Sequence, residues 1–318
     1  MKKNLIVGFT GGIGRATAIA LLNRGEKVVA FARDAKKAEK YSEGLTGIEI
    51  VQGDAMQIKD LEKASDGCSR LFYCVNVSYP LWQTSARELI NVSIETAVKN
   101  KMKFVLPGNV YVYGHPQQSL INEGHPHAAH TRKGRIRIDM ENMLIKQARD
   151  SDFVFTIVRF PDFYGPYVIN GFYDKLFLSA LKGKRLTWIG SLTVPTEFIF
   201  IEDAGEAMAI AGLSGKADNR MFNVPGYSET TAKEFLKELV KQSGKKSGIS
   251  SLNIPFVIAL AGVFDKTVYE FYEMLYLKSE KIILNGALFK STFGTIPATS
   301  YSEGILKTLK WGKEIFGV

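Results

Sequence analysis

The stretch "NLIVGFTGGIGRATAIALLNRGEKVVAFARD", residues 4–34, decides the fold because it places a cluster of glycines between two regular elements. Residues 4–9 are apolar in every position after Asn4, which is typical of a strand buried on both faces of a parallel sheet. Residues 13–25 have the pattern of a buried helix that stops at Gly25, a favoured helix terminus. Four glycines fall within residues 8–14, although glycine weakens strands and helices alike. The cluster therefore predicts a sharp turn that another group approaches closely.

The glycine turn has the spacing G-x-x-G-x-x-G between the strand and the helix. Gly8 allows the chain to turn, Gly11 and Gly12 allow a pyrophosphate to reach the main chain, and Gly14 allows the helix to pack on the sheet. The helix N-terminus adds free N–H groups and a partial positive charge. The pattern in this setting predicts a dinucleotide site, with a plain tight turn as the alternative.

The end of the second predicted strand, "AFARD", bears on the choice of dinucleotide. An acidic residue at this point would bind a ribose 2′-hydroxyl, but here the strand ends in Arg33, followed by Lys36 and Lys37. Arginine can bind a phosphate through two N–H groups. Asp34 leaves a second interpretation open, in which it binds a hydroxyl or pairs with Arg33. We expect the cofactor to be NADP, with NAD as the alternative. If Arg33 has no role in cofactor binding, it is an ordinary surface cation.

Apolar runs and helical patterns continue to alternate along the chain. The predicted strands are 27–33, 48–53, 70–77, 103–108 and 153–160, and the predicted helices are 84–100 and 132–149. This alternation predicts an α/β fold with a Rossmann-type doubly wound parallel sheet. We expect residues 1–165, with 197–213 returning to them, to form a dinucleotide-binding domain. Residues 166–196 and 214–318 are expected to form a smaller, mostly helical substrate lobe.

The chain has 318 residues, of which 46% are hydrophobic, and this is enough to form a large core. The formal net charge is +9, and the local basic clusters are 132–137, 182–185 and 241–246. No nucleic-acid motif accompanies them, so we expect no nucleic-acid partner. The longest late apolar stretch, 254–264, is too short to span a bilayer, so we also expect no membrane partner.

The two cysteines, Cys68 and Cys74, indicate no disulfide framework, and a cytoplasmic location is expected.

Six motifs connect the chain with a known family. They are "GFTGGIG" (8–14), "VQGD" (51–54), "FVLPGNVYVYG" (104–114), "MEN" (140–142), "VRFPDFYGP" (158–166) and "FIFIEDAGEAM" (198–208). With these motifs in this order, the chain resembles the extended branch of the short-chain dehydrogenase/reductase family, which includes the NAD-dependent epimerases and dehydratases. The resemblance implies that Asp54 lies near an adenine, residues 75–77 beside the middle of the cofactor, and residues 160–163 near the nicotinamide. The predicted cofactor-binding set is Gly8, Thr10, Gly11, Gly12, Ile13, Gly14, Arg33, Asp54, Val75, Asn76, Val77, Pro107, Phe160, Pro161 and Phe163.

The catalytic residues of the family are where this chain departs from the resemblance. The family uses a serine or threonine with a tyrosine that precedes a lysine by four residues, yet none of the 13 tyrosines here has a lysine at that spacing. Counting from the family motifs, with Glu141 as the helical anchor, puts Asn109, Lys133 and Arg137 at the three positions. Asn109 can hydrogen-bond a carbonyl oxygen, and Lys133 and Arg137 share a helix face. We expect them to bind the carboxylate or phosphate of an anionic substrate, with a solvated basic helix face as the alternative.

Other candidate proton donors lie close to these residues. Tyr111 and Tyr113 flank the loop after the fifth strand, and all four histidines, His115, His125, His127 and His130, fall within residues 115–130. Their spacing matches no standard zinc site, so we predict no metal and interpret them as a polar loop beside the cleft. His130 lies about one helical turn before Lys133 and is an alternative acid. Glu270, Tyr272 and Glu273 belong to a predicted lobe helix and are not assigned to the site.

Two functions follow from these observations. The first is an NADP-binding oxidoreductase or epimerase-like enzyme that moves hydride to or from a small carbonyl or hydroxyl substrate. The second is a non-catalytic NAD(P)-binding sensor or regulatory protein. The missing tyrosine favours the sensor, whereas a second lobe favours the enzyme because a sensor needs no substrate chamber. The family resemblance also implies that the chain can form a homodimer.

Overall fold

The computed structural model describes residues 2–252 and 272–317. Its strands are Lys3–Val7 (β1), Lys27–Ala32 (β2), Ile48–Gln52 (β3), Cys68–Tyr73 (β4), Lys103–Asn109 (β5), Phe155–Phe160 (β6), Asp162–Tyr164 (β7), Leu186–Ile189 (β8), Pro195–Thr196 (β9), Phe198–Phe200 (β10), Arg220–Asn223 (β11), Thr230–Thr231 (β12) and Ile249–Leu252 (β13). Its α-helices are Gly12–Leu22 (α1), Ala35–Ser42 (α2), Ile58–Ala64 (α3), Trp82–Lys99 (α4), Arg132–Asp150 (α5), Tyr173–Leu181 (α6), Ile201–Leu213 (α7), Ala232–Ser243 (α8), Ala287–Phe293 (α9) and Tyr301–Phe316 (α10). The apolar stretch 254–264 and Glu270 lie outside the described residues.

Seven parallel strands form the central sheet in the order β11-β6-β5-β4-β1-β2-β3. The chain starts in the middle at β1, winds through β2 and β3 to one edge, and then crosses back to β4. The winding direction therefore reverses between β1 and β4, which leaves a crevice at the carboxyl ends of these two strands. The predicted Rossmann-type sheet is confirmed, and the glycine turn lies at this crevice.

The apolar run of residues 5–7 in β1 follows from the central place of this strand in the sheet. Leu5 and Val7 point into one core cluster and Ile6 into the other, and all three are fully buried. A strand alternates its side chains between the two faces, so a sheet covered by helices on both faces needs apolar residues at every position.

The predicted secondary structure differs from the observed one in several details. Helix α3 was missed, and α1 ends at Leu22 and not at Gly25. The fourth strand was predicted over 70–77 but ends at Tyr73, which is paired with Val7, the last residue of β1. The Cys74 N–H donates one more hydrogen bond, of 2.8 Å, to the carbonyl of Val7. Residues 75–77 therefore form a loop. The short helix α2 was missed because it buries only Ala38 and so has no apolar stripe to detect.

A third core cluster lies under α6, α8 and α10, apart from the two clusters of the sheet. Its largest fully buried side chain is Trp188, which packs against Phe198 at a ring-centre distance of 6.0 Å. Two short strand pairs, β8 with β13 and β9 with β12, accompany these helices. The sequence patterns do not show these pairs because the strands have two to four residues each.

Helix α7 packs closely on α1, where a Cβ added at Gly205 would overlap the backbone of Ala16. Several residues of α7 also belong to the core cluster on that face of the sheet. Within residues 2–252 and 272–317, no helix is both long enough and apolar enough to cross a bilayer.

Glu197 gives the fold a pH-dependent stability. Burial raises the pKa of its carboxyl to about 8. The N–H groups of Leu284 and Gly226 donate hydrogen bonds to its oxygens and lower the pKa, but by less than burial raises it. The folded protein then binds one proton more than the unfolded chain between the ordinary value of 4.5 and about 8. We expect the free energy of unfolding to fall as pH rises through this window, and urea unfolding at a series of pH values measures it. Glu197→Gln should flatten this slope, whereas Glu39→Gln, at an exposed position, should keep it.

Candidate functional site

The glycine turn after β1 packs against the end of β4 and against itself. Gly8 has a φ of +91°, and an added Cβ would lie 2.8 Å from the backbone of Cys74 and Val75. A Cβ at Gly14 would overlap the carbonyl oxygen of Gly8. Both positions therefore need glycine for the turn to close at all.

Gly11 has a different environment, since it lies where α1 begins. A Cβ there would meet nothing closer than the Gly8 oxygen at 3.5 Å. Gly11 is the N-cap residue of α1 and provides no side-chain cap, and the first helical turn contains no acidic residue. The N–H groups of residues 12–14 lie in that first turn, where no intrahelical acceptor exists. Amides without an intrahelical acceptor and the positive end of a helix dipole are features that favour the binding of a diphosphate.

The end of β2 presents a basic side chain beside this turn. Arg33 is exposed and follows β2 directly. Asp34 is the N-cap of α2, and its Oδ1 accepts a hydrogen bond of 3.0 Å from the N–H of Lys37. The Asp34 carboxylate is thereby engaged with its own helix. Asp54 follows β3, and its Oδ1 accepts a hydrogen bond of 3.0 Å from the N–H of Met56.

Residues 75–77 line a small cavity together with Trp82 and Arg137. The guanidinium carbon of Arg137 lies 4.7 Å from the Trp82 ring centre. The Trp82 Nε1–H donates a hydrogen bond of 2.9 Å to the carbonyl of Val77 and so fixes the loop. The structure therefore brings Arg137 to the loop where the resemblance places the middle of the cofactor.

Asn109 lies at the carboxyl end of β5, opposite Phe160 in β6. Its Oδ1 accepts a hydrogen bond of 3.1 Å from the N–H of Tyr111, which orients the side chain. With the oxygen used in this way, the amide nitrogen is the group that can donate to a carbonyl oxygen. Phe160 and Phe163 contact each other with ring centres 5.6 Å apart.

Lys133 is buried and forms an ion pair with a residue distant in sequence. Only 1% of Lys133 is exposed, and its Nζ lies 2.6 Å from Glu273 Oε1. Glu273 Oε2 also accepts a hydrogen bond of 3.0 Å from the N–H of Arg132 at the start of α5. Burial would raise the pKa of Glu273, but the hydrogen bond and charge of Lys133 outweigh it and hold the pKa below its usual value.

This ion pair changes how the predicted anion-binding residues can act. The alternative of a solvated basic face does not describe Lys133, because its side chain is not in solvent. A substrate anion at Lys133 would have to compete with the carboxylate of Glu273. Sequence reasoning left Glu273 out of the site, since nothing local in the sequence links it to Lys133.

Glu141, the anchor used for the motif comparison, forms a buried ion pair with Arg159 of β6. Arg159 donates from Nε to Oε1 at 3.0 Å and from Nη2 to Oε2 at 2.6 Å. Arg159 Nη1 also donates to the hydroxyl of Tyr113 at 2.9 Å, and that hydroxyl donates to Asn223 at 2.6 Å. Burial raises the pKa of Tyr113, which is fully enclosed. This tyrosine is part of the packed framework beneath the cleft and is not placed to give a proton to a substrate.

His125 and His127 bind different partners, whereas His115 and His130 contact each other. His125 Nε2 accepts from the N–H of Gln117 at 3.0 Å, and His127 Nε2 accepts from Arg159 Nη2 at 2.9 Å. His115 and His130 stack with ring centres 3.9 Å apart. Burial, and then the charge of His115, lower the pKa of His130. In the described ranges no three His, Cys, Asp or Glu residues form a group that could hold a metal ion.

The parallel sheet, its switch point and the glycine turn define a Rossmann-type fold. The model of the NAD dependent epimerase/dehydratase family matches residues 4–224, and the chain belongs to this family. The resemblance to extended short-chain dehydrogenases/reductases is thereby confirmed.

Relatives and solved structures of this family cover almost the whole chain. UDP-N-acetyl-alpha-D-glucosaminuronate decarboxylase of Bacillus cytotoxicus is 25% identical over 99% of this chain and 98% of its own length. The structure of dTDP-glucose 4,6-dehydratase from Bacillus anthracis, in complex with NAD, has a TM-score of 0.80 at 16% identity and covers 99% of this chain and 97% of that one. The UDP-glucuronic acid 4-epimerase of Bacillus cereus, in complex with UDP-glucuronic acid and NAD, has a TM-score of 0.80 at 17% identity, with 98% and 99% covered.

Proposed function

We propose that this chain binds a nicotinamide dinucleotide, with NADP preferred, and catalyses hydride transfer on an anionic carbonyl or hydroxyl substrate. The observation that carries the proposal is the start of α1. There the N–H groups of residues 12–14 have no intrahelical acceptor, and Gly11 has no side chain that could cap them. The relatives support it, since two of them are named for dinucleotide complexes and two for sugar acids that carry a carboxylate.

The residues of the crevice fit the dinucleotide along its length. The amides of residues 12–14 would hold the diphosphate, Arg33 the 2′-phosphate and Asp54 the adenine. The loop 75–77 would contact the middle of the molecule, and Phe160 with its neighbours the nicotinamide. When bound, the dinucleotide supplies the carbon that gives or takes hydride.

The substrate would lie between the carboxyl end of β5 and the start of α5. The amide nitrogen of Asn109 would donate to the substrate oxygen on which negative charge develops. Arg137 remains protonated at ordinary pH and would attract the substrate anion. Lys133, once its contact with Glu273 is exchanged for the substrate, would add a second cation. We also propose that residues 1–165 with 197–213 bind the dinucleotide while 166–196 and 214–318 form the substrate lobe.

The second candidate function, a dinucleotide sensor, is favoured by the ion pair that occupies Lys133. Calorimetry with NADPH and NADH, followed by absorbance of the reduced nicotinamide, separates the two. Oxidation of NADPH with one member of a panel of carbonyl acids and UDP-sugar acids supports the enzyme. Tight binding with no turnover across that panel supports the sensor, and no binding of either dinucleotide contradicts both.

Arg33→Ala tests the cofactor preference. We expect NADPH binding to weaken at least about tenfold, because a hydrogen bond between charged groups contributes roughly 1.5–3 kcal/mol. NADH binding should stay the same, since NADH has no 2′-phosphate. Calorimetric titration of both dinucleotides measures this, with Lys63→Ala on the exposed side of α3 as a charge-matched control. Equal losses for NADPH and NADH would refute the phosphate contact.

Arg137→Met and Lys133→Met test the anion-binding role. In the presence of NADPH, we expect each variant to bind UDP-glucuronic acid about tenfold or more weakly, because each loses a charged hydrogen-bond donor. Arg149→Met provides a control on the exposed last turn of the same helix. Unfolding by urea is followed in parallel, since Lys133→Met leaves Glu273 without its cation. Unchanged binding of the probe by both folded variants would reject the anion-binding role.

A further inference from the structure

Two basic segments that are distant in sequence meet at one end of the third core cluster. The first is 182–185, directly before β8, and the second is 244–248, directly before β13. We call their five cations the basic patch, which consists of Lys182, Lys184, Arg185, Lys245 and Lys246.

The pairing of β8 with β13 brings the segments together. The two strands are parallel and in register, with Leu186 opposite Ile249. Since parallel strands start at the same edge, the segments that precede them emerge side by side. The Leu186 N–H donates a hydrogen bond of 2.8 Å to the carbonyl of Gly248, and a Cβ added at Gly183 would lie 3.7 Å from the Cβ of Lys245.

The basic patch carries a concentrated positive charge. All five side chains are exposed, and neither segment contains an acidic residue. The acidic residue that most closely precedes the second segment is Glu238. It accepts hydrogen bonds from Gln242 and Ser302 and forms an ion pair with Lys241. Among the residues that the structure describes, no carboxylate forms an ion pair with a member of the patch. Five unneutralised cations therefore lie on one small surface of a chain with a net charge of +9.

We propose that the basic patch docks the protein on an anionic lipid surface. Charge complementarity is the main argument, because a plane of anionic headgroups attracts clustered lysines without requiring a fitted groove. Four of the five cations are lysines, whose long flexible stems suit a diffuse negative surface better than a paired phosphate contact. A Cβ added at Gly244 would meet no atom within 4 Å, so the start of the second segment is open to a large partner surface.

Two further observations favour a lipid surface over nucleic acid. Neither segment contains an aromatic side chain on which bases could stack. Helix α10 packs its Gly312 against Leu181, the residue before Lys182, and exposes 42% of Ile315 one turn later. Apolar side chains beside a basic surface strengthen interfacial binding. The expectation of no membrane partner rests on the lack of a spanning segment, which does not bear on docking at a lipid surface.

Sedimentation with vesicles tests the proposal on the full chain. One set of vesicles is pure phosphatidylcholine, and the other contains about one third phosphatidylserine. We expect binding to the second set only, with a marked loss when the salt concentration is raised several-fold. The patch variant replaces four lysines with glutamine: Lys182→Gln, Lys184→Gln, Lys245→Gln and Lys246→Gln. The control variant removes the same charge at exposed lysines elsewhere: Lys59→Gln, Lys63→Gln, Lys216→Gln and Lys290→Gln.

Each cation near an anionic membrane contributes about fivefold to partitioning, so the patch variant should lose at least about a hundredfold in vesicle affinity. The control variant should lose much less, and both should unfold at the same urea concentration as the parent chain. No binding of the parent chain to the anionic vesicles overturns the proposal, as does equal loss in the two variants. Binding to a DNA duplex but not to the vesicles also overturns it and assigns the patch to nucleic acid. Because no dinucleotide is present, the result is independent of the proposed function.

Discussion

Gly8→Ala is expected to lower the free energy of unfolding by about 3 kcal/mol or more and to abolish dinucleotide binding. The residue has a φ of +91°, which costs an alanine roughly 1–2 kcal/mol. The added Cβ would also lie 2.8 Å from the backbone of Cys74 and Val75, and these atoms, which directly follow the central strand β4, cannot move aside easily. Urea unfolding and calorimetry with NADPH measure the two effects.

Gly11→Ala is the matched control because it lies in the same turn. Its φ is −90°, and its added Cβ would have only an ordinary contact at 3.5 Å. This variant should therefore unfold within about 1 kcal/mol of the parent chain. It should nevertheless bind NADPH at least about tenfold more weakly, since the methyl group stands where a diphosphate approaches the amides. A Gly8→Ala chain as stable as Gly11→Ala would show that the turn does not pack as described.

Glu141→Leu is expected to destabilise the protein by about 3–5 kcal/mol, since it leaves a buried guanidinium without its carboxylate. Arg159 is fully buried and donates two hydrogen bonds to Glu141. In the parent chain, burial lowers the pKa of Arg159, but the charge and hydrogen bonds of Glu141 outweigh burial and raise it. In the variant the guanidinium still keeps its proton, because arginine is effectively always protonated in proteins. Urea unfolding at neutral pH measures the change.

The double variant Glu141→Leu/Arg159→Met separates the ion pair from the packing around it. Replacing both partners with apolar side chains removes the uncompensated charge, so most of the stability lost in Glu141→Leu should return. Full recovery is not expected, because Tyr113 and His127 each lose a hydrogen bond from Arg159. A double variant less stable than Glu141→Leu would contradict this account of the pair.

The fold could be predicted from the sequence because its main signals are local. The buried strand, glycine turn and helix of residues 4–25 adjoin one another, and the alternation of strands and helices that continues after them predicts the parallel sheet. The helix α2 gave a weaker signal because it buries a single residue. Strands β8 and β13 gave none, since each is too short to show a period and depends on a partner more than 60 residues away.

The candidate site was less predictable, because its decisive contacts are long-range. The positions of Asn109, Lys133 and Arg137 follow from motif spacing, and the structure brings Arg137 to the loop 75–77. Nothing in the local sequence indicated that Lys133 would be buried against Glu273, a residue 140 positions later. The sequence shows which side chains carry charge, but burial and partners depend on how distant segments pack.

The contact between Lys133 and Glu273 also bears on how such a protein can diverge. An ammonium at 133 and a carboxylate at 273 neutralise each other, so neither can change alone without stranding a charge in a poorly hydrated place. A homologue with a phenol in place of Lys133 would need a neutral residue in place of Glu273. We therefore expect the two positions to covary among homologues, with charge present at both or at neither.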